Sequence, residues 1–210
     1  TVDQVSIWPD SSPSVSVDID STPVTLGVKF RSAVDGYVTG IRFYKDSANT
    51  GPHVGNLWSN GVSLATAVFV DEPGTGWRQV NLETPVAISA DTTYVASYFA
   101  PKGRGSYTAN GFTSSGVTNY PLRALQHNVE DGPNGVYIVS PTTNAFPTAG
   151  SGANYWVDVM FREVLPPDTN GPVVVAVSPT NTASGVSVGT DVRVTFIEAM
   201  DITTVTNAGT

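Results

Sequence analysis

The sequence predicts an all-β protein, built as a jelly-roll-like antiparallel β-sandwich. Apolar and polar residues alternate with a period of two in many short segments, whereas the period of an amphipathic helix is nearly absent. The chain has 20 glycines and 15 prolines, and its Asn-Gly pairs at 60–61, 110–111 and 134–135 tolerate the positive φ of tight turns. Roughly nine strands at this spacing are typical of a sandwich or a barrel, and we favour the sandwich.

The alternation also predicts which side chains face the core. In residues 36–46, it places Ile41 and Phe43 on the core face. Arg42 and Tyr44 then point away from the core. The other strand candidates in this part of the chain are 23–32, 54–58, 64–70, 77–82, 93–99, 136–139 and 155–161. Residues 103–134 are the least regular stretch, and we expect a long loop that is either functional or disordered.

Two later strands give further predictions of the same kind. In residues 93–99, alternation groups Tyr94 with Tyr98 and places both opposite the apolar Val95 and Phe99. We therefore expect Tyr98 to lie on the outer face of its sheet. In residues 154–162, the same reasoning assigns Tyr155, Val157, Val159 and Phe161 to the core, and Trp156 and Asp158 to the outside.

Composition excludes several classes of function. The net charge is -8 and only 13% of the residues are charged, so the Lys and Arg clusters that bind nucleic acid or an anionic membrane surface are missing. No apolar run approaches the ~20 residues that span a bilayer, so we expect no membrane insertion. The chain has no cysteine, which excludes disulfides, thiolate metal sites and a cysteine nucleophile. A surface built from Ser, Thr, Asn and Gly favours an extracellular or cell-surface location.

The composition of the sequence changes near residue 165. Leu165-Pro166-Pro167-Asp168 reads as a stiff linker, because proline fixes φ and cannot donate to a β-ladder. We expect one module at 1–164, a linker at 165–168 and a second domain at 169–210. This second domain has two strand candidates, 173–177 and 192–196.

A set of segments in fixed order carries a family resemblance in the first module. These segments are LGVKF (26–30), GIRFYKD (40–46), NTGPHVGNLWS (49–59), LATAVF (64–69), GWRQV (76–80), TTYVASYFAP (92–101), NGVY (134–137) and NYWVDVMF (154–161). Together they resemble the domain of unknown function 4082 family. The resemblance implies a module of a secreted, multidomain bacterial or archaeal protein, with neighbours that include carbohydrate-active domains. A binding or spacer role follows by association only.

The rest of the chain is similar to the opening strands of bacterial Ig-like repeats. SPT (178–180), GVSVGT (185–190) and FIEAMD (196–201) carry this likeness. Such repeats usually act as spacers. A small Ig-like sandwich needs ~100 residues, so we expect 169–210 to be the N-terminal part of such a domain, or a part completed by another chain.

Catalytic patterns are absent from the sequence. The two histidines, His53 and His127, are far apart and lie in no HExxH motif, and the chain has neither a GxSxG elbow nor a Gly-rich phosphate loop. Paired carboxylates of a glycosidase remain open, since acidic residues converge from anywhere in a fold. With 18 acidic residues, such pairs also arise by chance. We therefore favour a non-catalytic module.

The aromatic residues predict a carbohydrate-binding surface. A pyranose offers an apolar C–H face and a rim of hydroxyls, which proteins meet with Trp or Tyr rings and planar polar groups. In a sandwich these rings are equally suited to core packing, and Arg42 with Asp158 also suits a buried ion pair that fixes sheet register. The candidate ligand-binding residues are Arg42, Tyr44, Trp77, Tyr98, Trp156 and Asp158, with His53, Trp58 and Tyr107 on nearby loops.

The sequence leaves open whether the protein binds structural calcium. Calcium takes oxygen ligands from loops, and sandwich modules often carry one structural ion. The candidate ligands are Asp18 with Asp20, and Asp71 with Glu72. No DxDxDG loop is present.

Three functions follow from these observations. The first is a module that binds a polysaccharide or cell-surface glycan within a larger secreted or surface protein. The second is a structural or adhesive spacer that self-associates, through strand edges that an incomplete sandwich leaves unpaired. The third is an accessory domain of a secreted carbohydrate-active enzyme.

Overall fold

A computed structural model of the chain describes residues 3–70, 73–166 and 173–197. These residues contain fifteen β-strands and no helix, so the all-β prediction is confirmed. The chain divides into two compact units, Thr1–Leu165 and Pro166–Thr210. Over the same residues, no helix has the length and apolar character needed to cross a membrane.

Thirteen of the strands belong to the first unit. They are β1 (Ser16–Val17), β2 (Val24–Ser32), β3 (Gly36–Lys45), β4 (Val54–Ser59), β5 (Val62–Val68), β6 (Gly76–Ile88), β7 (Tyr94–Ala100), β8 (Ser106–Tyr107), β9 (Val117–Asn119), β10 (Leu122–Ala124), β11 (Val136–Val139), β12 (Ala149–Gly150) and β13 (Val157–Arg162). The second unit has β14 (Val174–Ser178) and β15 (Arg193–Phe196).

Two sheets pack face to face in the first unit. The larger sheet has eight strands in the order β12-β11-β2-β7-β4-β5, and β10 pairs with both β2 and β9. The smaller sheet has the order β13-β3-β6, and all of these pairings are antiparallel. The ring of Phe43, from the small sheet, stacks on Tyr98, from the large sheet, with 3.9 Å between ring centroids. This contact lies in the core of the sandwich.

The alternation identified most of the core correctly. Val28, Phe30, Ile41 and Phe43 are at most 1% exposed and belong to one hydrophobic cluster. Burying a side chain of this size contributes about 1.5–3 kcal/mol. The register of β2 and β3 is therefore strongly specified, because a slip by one residue would turn these side chains away from the core.

The long stretch 103–134 is anchored by its own apolar residues. It contains the short strands β8, β9 and β10. Phe112 and Leu122 are fully buried, and Leu125 is 1% exposed. This stretch is therefore a packed part of the sandwich, and the expectation of possible disorder is wrong.

An N-terminal segment lies against β13 and β3 of the small sheet, which the sequence did not predict. Val5 and Phe161 exchange two backbone hydrogen bonds of 2.8 Å. Ile7 and Trp8 then turn inward and are 1% and 5% exposed. The small sheet is consequently covered on its outer side around Arg42 and Asp158, which are at most 5% exposed.

In residues 173–197, the described part of the second unit, β14 pairs with β15 in antiparallel orientation. Its valines are mostly exposed, with 56% exposure at Val175 and 72% at Val192. A two-stranded pair has no second layer against which to bury both faces. Of the predicted linker, Pro167 and Asp168 lie outside the described residues.

Candidate functional site

Arg42 and Asp158 form a buried ion pair. They lie opposite each other on β3 and β13, and Arg42 Nε donates to Asp158 Oδ2 at 2.9 Å. Arg42 is 5% exposed and Asp158 is fully buried. Alternation correctly placed both side chains on the outer face of the sheet, but their expected exposure to solvent is wrong because the N-terminal segment covers them.

The ion pair also holds the N-terminal segment. Asp158 accepts hydrogen bonds from Ile7 N at 2.7 Å and Trp8 N at 3.1 Å. Arg42 donates to the carbonyl oxygen of Trp8 and to Ser6 Oγ. The donors that reach Asp158 are N–H groups, the arrangement that an ionised carboxylate accepts. We call this group of contacts the N-terminal clasp.

Aromatic rings pack around the clasp. Trp8 lies 5.1 Å from Trp156, Trp156 lies 6.5 Å from Trp77, and Tyr44 lies 5.6 Å from Trp77, measured between ring centroids. The Arg42 guanidinium is 4.4 Å from the centroid of the Trp77 ring, within cation–π range. Tyr44 is 5% exposed, and the two indoles are only partly exposed. These rings support the sheet and the segment that covers it, so the open platform expected here is wrong.

Tyr98 and His53 lie in the core instead of on the surface. Tyr98 is fully buried and accepts a 3.3 Å hydrogen bond from Asn49 Nδ2. His53 Nε2 lies 2.9 Å from Asn49 Oδ1, and this ring is 1% exposed. Burial raises the pKa of the Tyr98 hydroxyl, so it stays protonated. The predicted outward direction of Tyr98 is wrong.

The error arises because β7 is buried on both faces. All seven of its residues are buried, so apolar alternation does not distinguish its two sides. Trp58 belongs to the layer that covers its outer side. Its indole Nε1 donates to Ser97 Oγ at 2.8 Å, and its ring lies 5.5 Å from Phe146. Trp58 is 3% exposed and packs with Val95.

Only Tyr107, of the nine predicted ligand-binding residues, lines a cleft formed by β2, β8 and β11 with the segments after β1 and before β13. This cleft has a volume of about 280 Å³, and a neighbouring cavity of about 250 Å³ shares part of its wall. Two predicted metal ligands, Asp18 and Asp20, also line the cleft. We call this group the tyrosine cleft; its members used below are Asp18, Asp20, Tyr107, Tyr137, Ser151 and Tyr155.

Local backbone contacts bring the two carboxylates to the tyrosines. Strand β1 pairs with β8, with Ser16 opposite Tyr107, and the chain then continues directly to Asp18. Asp18 N donates to Gly105 O at 3.0 Å. At Gly103 φ is +56°, and a Cβ atom there would lie 2.3 Å from the carbonyl oxygen of Asp20. Glycine is required at this position to let the two segments approach.

Two tyrosine rings form adjoining walls of the cleft. Tyr137 and Tyr155 meet at 73°, with 6.4 Å between their centroids. The Tyr155 hydroxyl lies 2.9 Å from Ser151 Oγ. Partial burial raises the pKa of the Tyr155 phenol, so it remains a neutral hydrogen-bonding group at physiological pH.

The carboxylates at the rim are held by short turns. Asp18 Oδ1 accepts from Asp20 N at 2.9 Å. Asp20 Oδ1 accepts from Thr22 N at 2.8 Å and from Thr22 Oγ1 at 2.7 Å. The Thr22 hydroxyl and amide hold the pKa of Asp20 below its ordinary value of 3.8. Among the described residues, the second oxygen of each carboxylate has no hydrogen-bond partner.

The calcium prediction receives no further ligands from the structure. Within the described ranges, no three side chains of His, Cys, Asp or Glu are arranged so that they could hold a metal ion. Asp71 and Glu72 lie outside the described residues. Asp18 and Asp20 are therefore treated below as the anionic rim of the cleft.

Sequence reasoning missed Tyr137, Ser151 and Tyr155. Alternation assigned Tyr155 to the core together with Val157, but strand β13 begins only at Val157. The backbone of Trp156 has φ of +54° and interrupts the alternation. Tyr155 therefore lies half-buried in the cleft, where it also packs on the edge of the core.

Comparison with known families gives two matches. A family model described as domain of unknown function (DUF4082) matches residues 10–157, more than two thirds of the chain. A model described as bacterial Ig-like domain matches residues 168–210. Among curated proteins, none matches this sequence. Both matches agree with the predicted order of domains, and together they indicate a non-catalytic module of the surface-protein type. The chain belongs to the DUF4082 family and continues into a bacterial Ig-like domain.

Proposed function

We propose that the first unit is a carbohydrate-binding module of a larger exported protein, and that the tyrosine cleft is its binding site. The observation that carries the proposal is the convergence of Tyr107, Tyr137 and Tyr155 with two carboxylates around one cavity of about 280 Å³. These residues come from separate parts of the chain. All three rings are partly exposed, so a ligand in the cleft can contact them.

The chemistry of the cleft suits a sugar ring. Tyrosine rings contact the apolar C–H face of a pyranose and present a hydroxyl at the edge. The free oxygens of Asp18 and Asp20 and the hydroxyl of Ser151 are suitable partners for sugar hydroxyls. With its neighbour of about 250 Å³, the cleft offers room for a short oligosaccharide and stays open to a longer chain.

The same carboxylates support binding without hydrolysis. A retaining or inverting glycosidase needs a general acid with a raised pKa. The pKa of Asp20 is lowered, and a hydrogen-bonding turn connects this residue to Asp18. Neither feature suits a proton donor to a leaving group.

Isothermal titration calorimetry tests the proposal after a glycan array has identified a binding oligosaccharide. We expect Tyr107→Ala and Tyr155→Ala each to weaken binding roughly 2- to 12-fold, since the contact of one aromatic ring is worth about 0.5–1.5 kcal/mol. Tyr120→Ala is the control, because Tyr120 is 67% exposed and does not line the cleft. Equal affinity in all three variants would overturn the proposal.

A self-associating spacer is the second candidate function. Strand β5 lies at one end of the large sheet and exposes Val62, Leu64 and Val68 on its outer face. An apolar edge strand is a template for pairing with another strand, here the same strand of a second copy. Light scattering tests this candidate. A dimer that Val68→Lys dissociates would support it, whereas a monomer at high concentration would exclude it.

A further inference from the structure

Building on the proposed carbohydrate site, we propose that the tyrosine cleft selects glycans that carry a free amino group. The ligand class is an oligosaccharide containing de-N-acetylated hexosamine, in its protonated ammonium form. Neutral oligosaccharides bind more weakly in this proposal, and those containing uronic acids are disfavoured.

The first observation is the charge of the cleft. Its lining includes two carboxylates, Asp18 and Asp20, and neither cavity has a Lys, Arg or His in its wall within the described residues. Arg104 adjoins the cleft through its backbone, whose N donates to the carbonyl oxygen of Asp20 at 2.9 Å, but Arg104 does not line either cavity. The chain as a whole carries a net charge of -8. A cationic ligand is therefore attracted, and an anionic ligand is repelled.

The second observation is the arrangement of the aromatic walls. Tyr137 and Tyr155 meet at 73°, so the two rings give a corner in which a cation contacts more than one aromatic surface. Electron-rich tyrosine faces attract ammonium groups, and this attraction adds to that of nearby carboxylates. A neutral pyranose gains the ring contacts and the hydrogen bonds of the rim, but not the attraction between opposite charges.

The third observation is that Asp20 remains ionised under conditions in which a sugar amine is protonated. The hydrogen bonds of Thr22 hold the pKa of Asp20 below 3.8. Both partners are consequently charged in mildly acidic solution. The free oxygens of the two carboxylates are exposed at the rim, so an ammonium group reaches them without first displacing a protein cation.

Calorimetry with three tetrasaccharides of equal length tests the inference at about pH 5.5, where Asp and Glu carboxylates are ionised. The probes are the tetramers of glucosamine, N-acetylglucosamine and galacturonic acid. We expect the glucosamine tetramer to bind about tenfold more tightly than the N-acetylated one, from two exposed charge contacts and a cation–π contribution. We expect no measurable binding of the galacturonic acid tetramer.

Matched variants separate charge selection from sugar binding. Asp18→Asn and Asp20→Asn each remove one charge but keep a side-chain oxygen that accepts the hydrogen bond of the turn. Each should lower the glucosamine affinity about threefold and lower the N-acetylglucosamine affinity less, because the asparagine side chain still hydrogen-bonds to a sugar hydroxyl but has no charge. Asp35→Asn is the control, because Asp35 likewise accepts a backbone hydrogen bond, from Ala90 N at 2.8 Å, and does not line the tyrosine cleft.

The outcomes distinguish the inference from the function on which it rests. If the tetramers of glucosamine and N-acetylglucosamine bind with equal affinity and Tyr107→Ala weakens the binding of both, the amine preference is wrong but the carbohydrate site is supported. If none of the oligosaccharides binds, or if choline alone binds as tightly as the glucosamine tetramer, the proposed function fails together with the inference.

Discussion

Replacing Asp158 by asparagine should release the N-terminal segment from the sandwich. The carboxylate accepts hydrogen bonds from the backbone amides of Ile7, Trp8 and Val159, and it forms the ion pair with Arg42. Asparagine retains one acceptor oxygen and presents an NH₂ group where a second acceptor is needed. The side chain is fully buried, so water cannot replace the lost partner.

The size of the effect follows from the burial of both charges. Removing one partner of a buried ion pair costs about 3–5 kcal/mol, because the other charge stays uncompensated. Asp158→Asn should lower the free energy of unfolding by about 3 kcal/mol, near the lower end of this range, because asparagine keeps one acceptor oxygen and Arg42 keeps a second ion pair, with Asp10. For a domain of this size, that loss corresponds to a decrease in Tm of roughly 10 °C.

Urea unfolding followed by tryptophan fluorescence measures this loss. Trp8, Trp77 and Trp156 all lie at the clasp, so their emission reports directly on the N-terminal segment. Glu83→Gln is the control for removal of a carboxylate, because Glu83 is exposed and β6 continues past it. We expect no measurable change in stability for this control.

A double replacement separates the ion pair from the packing around it. Arg42→Met combined with Asp158→Leu removes both charges and should recover part of the stability lost in Asp158→Asn. A loss below about 1 kcal/mol in Asp158→Asn, the value typical of an exposed pair, would refute the clasp.

Three further changes have defined outcomes. Gly103→Ala should destabilise the first unit by about 1–3 kcal/mol in thermal unfolding, because φ of +56° is unfavourable for alanine and its Cβ would meet the carbonyl of Asp20; unchanged Tm would contradict this. Tyr98→Phe should lower the free energy of unfolding by about 1 kcal/mol, because the hydrogen bond from Asn49 is lost, and it should leave glycan affinity unchanged. Loss of glycan binding in this variant would show that Tyr98 belongs to the binding site. The pKa of Asp20 is lowered, so its hydrogen bonds with Thr22 stabilise the fold above pH 3.8, and this stabilisation is lost as the pH falls through the lowered pKa. The stability of Asp20→Asn, measured as a function of acidic pH, should therefore lack this loss. A pH dependence identical to that of the unsubstituted protein would refute the argument.

The sequence was sufficient for the strands in which apolar side chains recur at every second position and face the shared core. Strands β2 and β3 alternate clearly, and Val28, Phe30, Ile41 and Phe43 were assigned to the core correctly. The strand predicted at 136–139 has the observed bounds of β11. In these strands, the period-two pattern reflects burial directly.

The candidate site depended on features that alternation does not encode. The clasp forms between residues about 150 positions apart, Ile7 and Trp8 with Asp158, and no local pattern marks such a contact. Strand β7 is buried on both faces, so the outward assignment of Tyr98 had no basis in its neighbours. At Trp156, one positive φ interrupts the alternation. Of the residues in the tyrosine cleft, only Tyr107, Asp18 and Asp20 were identified from the sequence. Each was chosen because of its residue type and its predicted position in a loop.

Chemical-shift mapping of the intact chain with a bound oligosaccharide tests the central claim most directly. We expect the amide shifts to concentrate at Asp18, Asp20, Tyr107, Tyr137 and Tyr155, which converge only in the folded cleft. Shifts concentrated around Trp77 and Trp156, with none at these five residues, would contradict the tyrosine cleft as the site that binds carbohydrate.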